Sequence, residues 1–169
     1  MAELEIRLAT EADCEGIVEL IDGVLIEYGD RICTTPGGAE SAVLDIDAGY
    51  RSRGGEFWVL DSFEQGASRI VGTHATRPDP ERPTEVCTFK RLYLHQSLRG
   101  TNWGHDLMQI TIDWARERAF KRIEFWSDTR FERAHRFFEK FGFQRTGEAR
   151  QMTDSVVPYA EYFFFLNLS

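Results

Sequence analysis

Residues 94–108 read LHQSLRGTNWGHDLM, a strand-like run that ends in a short polar loop before a helical pattern begins at once. The loop holds Arg99, Gly100 and Gly104 among small polar residues, where a helix leaves its first backbone N–H groups without partners. Such N–H groups and the positive end of the helix dipole suit an anion, and a phosphate in particular. An ordinary helix start has much the same composition, so the meaning of the loop rests on its flanks.

Upstream, EVCTFKRLYL (85–94) reads as a long strand running straight into the loop. Downstream, Trp103, Leu107, Ile110 and Trp114 form one stripe of an amphipathic helix reaching to about Phe120. RIEFWS (122–127) follows as a strand, which completes a βαβ unit whose right-handed crossover makes two parallel neighbours. Towards the N-terminus, LEIRLA (4–9) alternates as a first strand, and Thr10 caps a helix carrying Ile17, Leu20, Ile21, Val24 and Leu25. TTPGGAES (34–41) is a loop and helix start, and AVLDIDAGY (42–50) continues a shorter helix that Gly54 and Gly55 end. EFWVLD (56–61) and RIVGTHAT (69–76) are strands joined by SFEQGAS (62–68) as a hairpin. RAHRFFEKFGF (133–143) places Ala134, Phe137, Phe138 and Phe141 on one helical face and stops at Gly142, and YAEYFFFLNL (159–168) is a last strand. The pattern predicts one α/β (α+β) domain over 1–169, a mixed, mostly antiparallel sheet of about seven strands flanked by about four helices.

The formal charge of −8 over 169 residues argues against a nucleic-acid or acidic-membrane partner and favours a cationic or amine one. Cys14, Cys33 and Cys87 are odd in number, far apart and without metal-ligand spacing, so the expectation is a reduced, cytoplasmic protein with no metal. The first ten residues lack a leader pattern and the longest apolar run, Phe163 to Leu166, is too short for a bilayer, so no membrane partner is expected.

With this order of elements the sequence resembles the GNAT superfamily of acyl-CoA-dependent N-acyltransferases. The family's loop pattern, Q/R-x-x-G-x-G/A, reads here Arg99-Gly100-Thr101-Asn102-Trp103-Gly104, and RAHRFFEKFGF resembles its second motif, A-x-x-x-Y-x-K-x-G-F. The likeness runs from Leu4 to Leu168. It implies a GNAT-like domain with a splayed parallel strand pair, and acetyl-CoA as cosubstrate. It places the pyrophosphate on the backbone from Arg99 through Gly100, Thr101, Asn102 and Trp103 to Gly104. Pantetheine would pair with the fourth strand near Leu92, Tyr93 and Leu94, with Phe138 in the second motif alongside. The implied reaction moves an acetyl group to a primary amine by direct attack in a ternary complex, the acceptor being a small amine or a peptide or protein amine.

Three positions depart from the family pattern. Asn102 replaces the first loop glycine, although asparagine also visits the left-handed region. Phe138 stands where a tyrosine often protonates the departing thiolate, with Phe131 at a frequent asparagine, and Thr88 stands at a frequent glutamate. Replacement bases are Asp128 at the end of the fifth strand, His74 on the third, and His135, while Tyr159 or Tyr162 could supply a phenol. Structural roles compete for each: a turn or cap for Asp128, a satisfied sheet residue for His74, a solvent-facing helix residue for His135, core for the tyrosines. Arg130, Arg133 and Arg136 are either near CoA phosphates or a solvated face. Glu27, Asp30, Asp45 and Asp47 either draw a cationic amine or keep the surface soluble. A non-catalytic acyl-CoA sensor of the same fold is the alternative function, a nucleotide-binding module a third reading, and the aromatic last strand could form a homodimer interface.

Overall fold

In the computed structural model, which describes residues 1–169, seven strands form one sheet: β1 (Glu3–Leu8), β2 (Glu56–Glu64), β3 (Ala67–Pro78), β4 (Val86–Leu94), β5 (Arg122–Asp128), β6 (Gln144–Met152) and β7 (Tyr159–Asn167). Their order is β1-β2-β3-β4-β5-β7-β6, antiparallel throughout except for β4 beside β5. The helices are α1 (Cys14–Ile26), α2 (Ile46–Gly49), α3 (Trp103–Glu117) and α4 (Glu132–Lys140).

Side-chain alternation sorts the core onto two faces. Trp58, Leu60, Cys87 and Phe89 pack with Leu107, Met108 and Phe138 of α3 and α4. Phe57, Val59 and Ala75 pack with Ile17, Ile21 and Leu25 of α1 and with Ile46 and Tyr50. Each fully buried side chain of this size contributes about 1.5–3 kcal/mol by leaving water, which ties both helical layers to the same strands.

The structure departs from the sequence reading in three elements. SFEQGAS is mostly strand: β2 and β3 continue to Glu64 and from Ala67, and only Gln65 and Gly66 turn, at φ 52° and 81°. Two consecutive positive φ angles give the tight turn whose twist matches a hairpin. The region 41–53 is two 3-10 turns flanking the four-residue α2, and the packing there is close enough that a Cβ on Gly49 would meet the carbonyl oxygen of Ala42 at 2.7 Å and one on Gly55 that of Thr76 closer still. β6 has no counterpart among the strands read from sequence. Eight of its nine residues are exposed, so it carries no hydrophobic alternation.

A cleft through the sheet as candidate active site

β4 and β5 pair at only three positions, Val86 with Arg122, Cys87 with Ile123 and Thr88 with Glu124. Beyond these the strands part. The cause lies in β4, where Arg91 sits at φ 60° and two residues, Arg91 and Leu92, oppose the single His74 of β3. This bulge bends the strand away from its neighbour. Arg91 is held there by hydrogen bonds from its guanidinium to the Tyr50 hydroxyl (3.1 Å) and to the Ala39 carbonyl.

The gap between the strands is a cavity of about 200 Å³ that passes through the sheet. His74, Phe89, Leu92, Met108 and Phe138 line it on the α3 side; Asp30, Ala39, Glu40, Lys90 and Tyr93 line it on the α1 side. Asp128 and Tyr159 also border it. The structure thus gathers the sequence-selected residues His74, Leu92, Tyr93, Asp128, Phe138 and Tyr159 around one opening, together with Asp30, Thr88, Arg130 and Phe131. Leu94 lies beyond it, within 3.7 Å of the position a Cβ on Gly104 would take, and so joins the end of β4 to the start of α3.

At that helix start, Gly100 holds the left-handed conformation, at φ 80°. Asn102 is right-handed (φ −75°, ψ −5°) and N-terminal to α3, so the loop makes no glycine-like demand on it. The N–H of Arg99 donates to Gln96 and that of Thr101 to Leu98, whereas the N–H groups of Gly100, Asn102, Gly104 and His105 make no intramolecular hydrogen bond. Trp103 donates only a long bond (3.4 Å) to the Thr101 hydroxyl. Four open donors at a helix N-terminus form an anion nest. The Arg99 side chain points elsewhere, paired through both nitrogens with Glu27 (2.8 and 2.5 Å).

The candidate bases are spoken for. Asp128 is buried and its carboxylate takes the Arg130 guanidinium at 2.6–3.2 Å and the Arg130 N–H at 2.9 Å. His74 is buried, its Nδ1 contacts the Thr111 hydroxyl (2.8 Å) and Leu107 carbonyl (3.2 Å), and burial pulls its pKa down to about 4. Tyr159 donates to Asp154 at 2.9 Å, and burial followed by the charge of Glu161 pushes its phenol well above the usual range. Tyr93 is likewise raised by burial, and its hydroxyl makes no hydrogen bond in the protein.

His135 is buried, with Nε2 3.1 Å from the Ser127 hydroxyl that faces the cavity, which corrects the solvent-facing reading. The acidic residues read as amine attractors are engaged: Glu27 with Arg99, Asp30 with Arg130 at 3.0 Å, Asp45 as cap of α2, and Asp47 with Arg51 at 3.8 Å. Sequence reasoning passed over Lys90, which lies inside its own quoted strand. Burial, then the charges of Arg91 and Arg77, lower the Lys90 ammonium to about 8.

The model of the family described as Acetyltransferase (GNAT) matches residues 27–143, the span that contains the loop, both strands that part at the cleft and α4. The chain belongs to the GNAT acetyltransferase family. An uncharacterized N-acetyltransferase of Escherichia coli (strain K12) is 25% identical, over 89% of this chain and 87% of its own. Among solved structures, a GNAT-family acetyltransferase of Staphylococcus aureus superposes with a TM-score of 0.78 at 20% identity, covering 99% of this chain and 100% of its own. A GNAT superfamily phosphinothricin acetyltransferase of Sinorhizobium meliloti, in complex with acetyl-CoA, superposes with a TM-score of 0.73 at 17% identity, over 98% and 88%. The fold is therefore that of GNAT acetyltransferases, and this member of the family is an acyltransferase.

Proposed function

We propose that the chain moves an acetyl group from acetyl-CoA to a primary amine, the amine attacking directly while both are bound. The observation that carries this reading is the cleft through the sheet, lined by side chains of both faces, with β4 running on from it into a nest of open N–H groups at the start of α3. The residues present fit the cosubstrate. Past Thr88 and Glu124 the facing edges of β4 and β5 offer backbone groups to an extended amide-bearing arm, and Gly100, Asn102, Gly104 and His105 offer donors to a pyrophosphate.

Bound acetyl-CoA supplies an activated thioester whose thiolate departs as the amide forms. The chain's part is mostly positioning, which converts an encounter into a near-intramolecular step. His74 stays neutral at physiological pH with Nδ1 facing α3, and Asp128 is neutralised by Arg130, so neither is assigned the amine's proton. Burial, which lowers the Lys90 ammonium to about 8, acts in the same direction on an amine brought into the cleft and favours its neutral, attacking form. With Phe138 unable to donate, the proton for the thiolate is assigned to the Tyr93 hydroxyl, which has no partner in the protein, ahead of Tyr159, whose proton is committed to Asp154.

Calorimetric titration with acetyl-CoA, followed by release of free CoA over a panel of amines, tests the reading. Saturable binding with CoA release is expected, and Tyr93→Phe is expected to lower kcat by about a hundredfold, in the range of lost proton transfer. Binding without release on any amine replaces transfer by a sensor role; no binding removes the cosubstrate.

A further inference from the structure

Four cations line the cleft, Lys90, Arg91, Arg130 and Arg150. Three are occupied. Arg130 takes Asp128 and Asp30, Arg150 takes Glu161 at 2.7 Å, and Arg91 is spent on Tyr50 and Ala39. Lys90 alone makes no hydrogen bond and no ion pair with the protein. No buried side-chain polar atom lacks a partner, so the Lys90 Nζ is not sealed in the core and keeps access to open space. It sits on the α1 face of β4 at the residue before the bulge, the face opposite α3 and the nest.

The carboxylates bordering the cleft are engaged as well. Asp154 accepts from Tyr159 and Glu40 from the Cys33 N–H, and burial raises the Glu40 carboxyl towards its neutral form. An unpartnered ammonium that opens to the cleft, with Arg91 next to it along the strand, is a site that an anionic group completes. The overall charge of −8 pointed to a cationic acceptor, and the lining itself sets five carboxylates, Asp30, Glu40, Asp128, Asp154 and Glu161, against the four cations; what points to an anion is local, the one ammonium in that wall without a partner.

We propose that Lys90 is the recognition point for a carboxylate on the acceptor, so that the substrate class is amino acids or closely related amines bearing a carboxylate. This rests on the acetyl-transfer reading above. In the step so defined the acceptor's uncharged nitrogen forms the C–N bond, the C–S bond breaks, the sulfur takes the electron pair and the Tyr93 proton, and the proton that leaves the nitrogen restores the Tyr93 phenol, so that amine and thioester give amide and thiol. Lys90 remains an ammonium paired with the acceptor's carboxylate throughout.

The test compares amino acids with their α-carboxamides, using the full-length chain, acetyl-CoA and release of CoA. Acids are expected to exceed their amides in kcat/KM by about tenfold or more, as for one charge-assisted contact. Lys90→Met is expected to shrink that ratio towards unity through KM, and Lys90→Arg to retain most of it, whereas a loss from misfolding lowers acids and amides alike. A second measurement needs no turnover: N-acetyl amino acids, but not their amides, are expected to bind the CoA-loaded wild type and to bind Lys90→Met about tenfold more weakly. Amides used or bound as well as acids, or equal binding of the acids by wild type and Lys90→Met, overturn the proposal. Loss of acetyl-CoA binding itself would instead defeat the acetyl-transfer reading, and is seen in the first titration.

Discussion

β5 has two edges with opposite fates. Towards β7 it is paired along its whole length, from Arg122 with Asn167 to Asp128 with Glu161, and aromatic pairs such as Trp126 with Phe163 cover the seam. Towards β4 the same strand is paired for three residues and then faces a cleft. Backbone hydrogen bonding satisfies the first edge from within; the second keeps its donors and acceptors for a ligand. The closed edge holds the open one at a fixed place, which is what a site built on positioning needs.

Several measurements break or sharpen that contrast. Arg130→Met strips the open edge of its anchor and leaves Asp30 and Asp128 buried without their cation, an expected cost of about 3–5 kcal/mol in denaturant unfolding. Arg150→Met, which removes a pair with Glu161 at the rim of the cleft, is expected to cost under about 1 kcal/mol because the Arg150 side chain is 44% exposed to water. Acid comes next. His74 lies under the bulge with a folded pKa near 4 against 6.5 for the free side chain, so as pH falls the unfolded chain protonates first. Stability is therefore expected to hold above pH 6.5 and to fall by about 3 kcal/mol between 6.5 and 4, a slope that His74→Gln flattens in pH-dependent unfolding.

Gly100→Val forces a branched residue into φ 80°. About 1–2 kcal/mol of stability is expected to go, with about a tenfold weaker acetyl-CoA titration as the nest distorts. The smallest effect expected is from Glu27→Gln, which releases Arg99 to the phosphates: acetyl-CoA affinity rises by about two- to fivefold, most at low salt, while stability changes by under about 1 kcal/mol.

What the sequence discloses follows from how far apart the responsible residues are. The βαβ unit around the loop and the stripes of α1, α3 and α4 are local patterns, and they appear in the structure with ends shifted by a few residues. β6 leaves no such mark because its place is set by pairing with β7 alone, while its side chains stay in water. In the site, the small residues at 100–104 mark the nest. The occupancy of the charges is invisible: Arg130 meets Asp30 across 100 positions and Arg99 meets Glu27 across 72, so no window of sequence shows which charges are spent. Lys90 becomes notable only once every neighbour has been assigned a partner.

The bulge at Arg91 also changes parity. Before it, Cys87 and Phe89 turn to α3; after it, Leu92 and Leu94 do. Removing one residue there would leave every one of these side chains on its present face while restoring an unbroken ladder with β3. The opening in the sheet is thus a one-residue insertion, separable from the packing that surrounds it. A shortened chain of 168 residues, 169 less Arg91, would keep the faces of its core and lose its doorway.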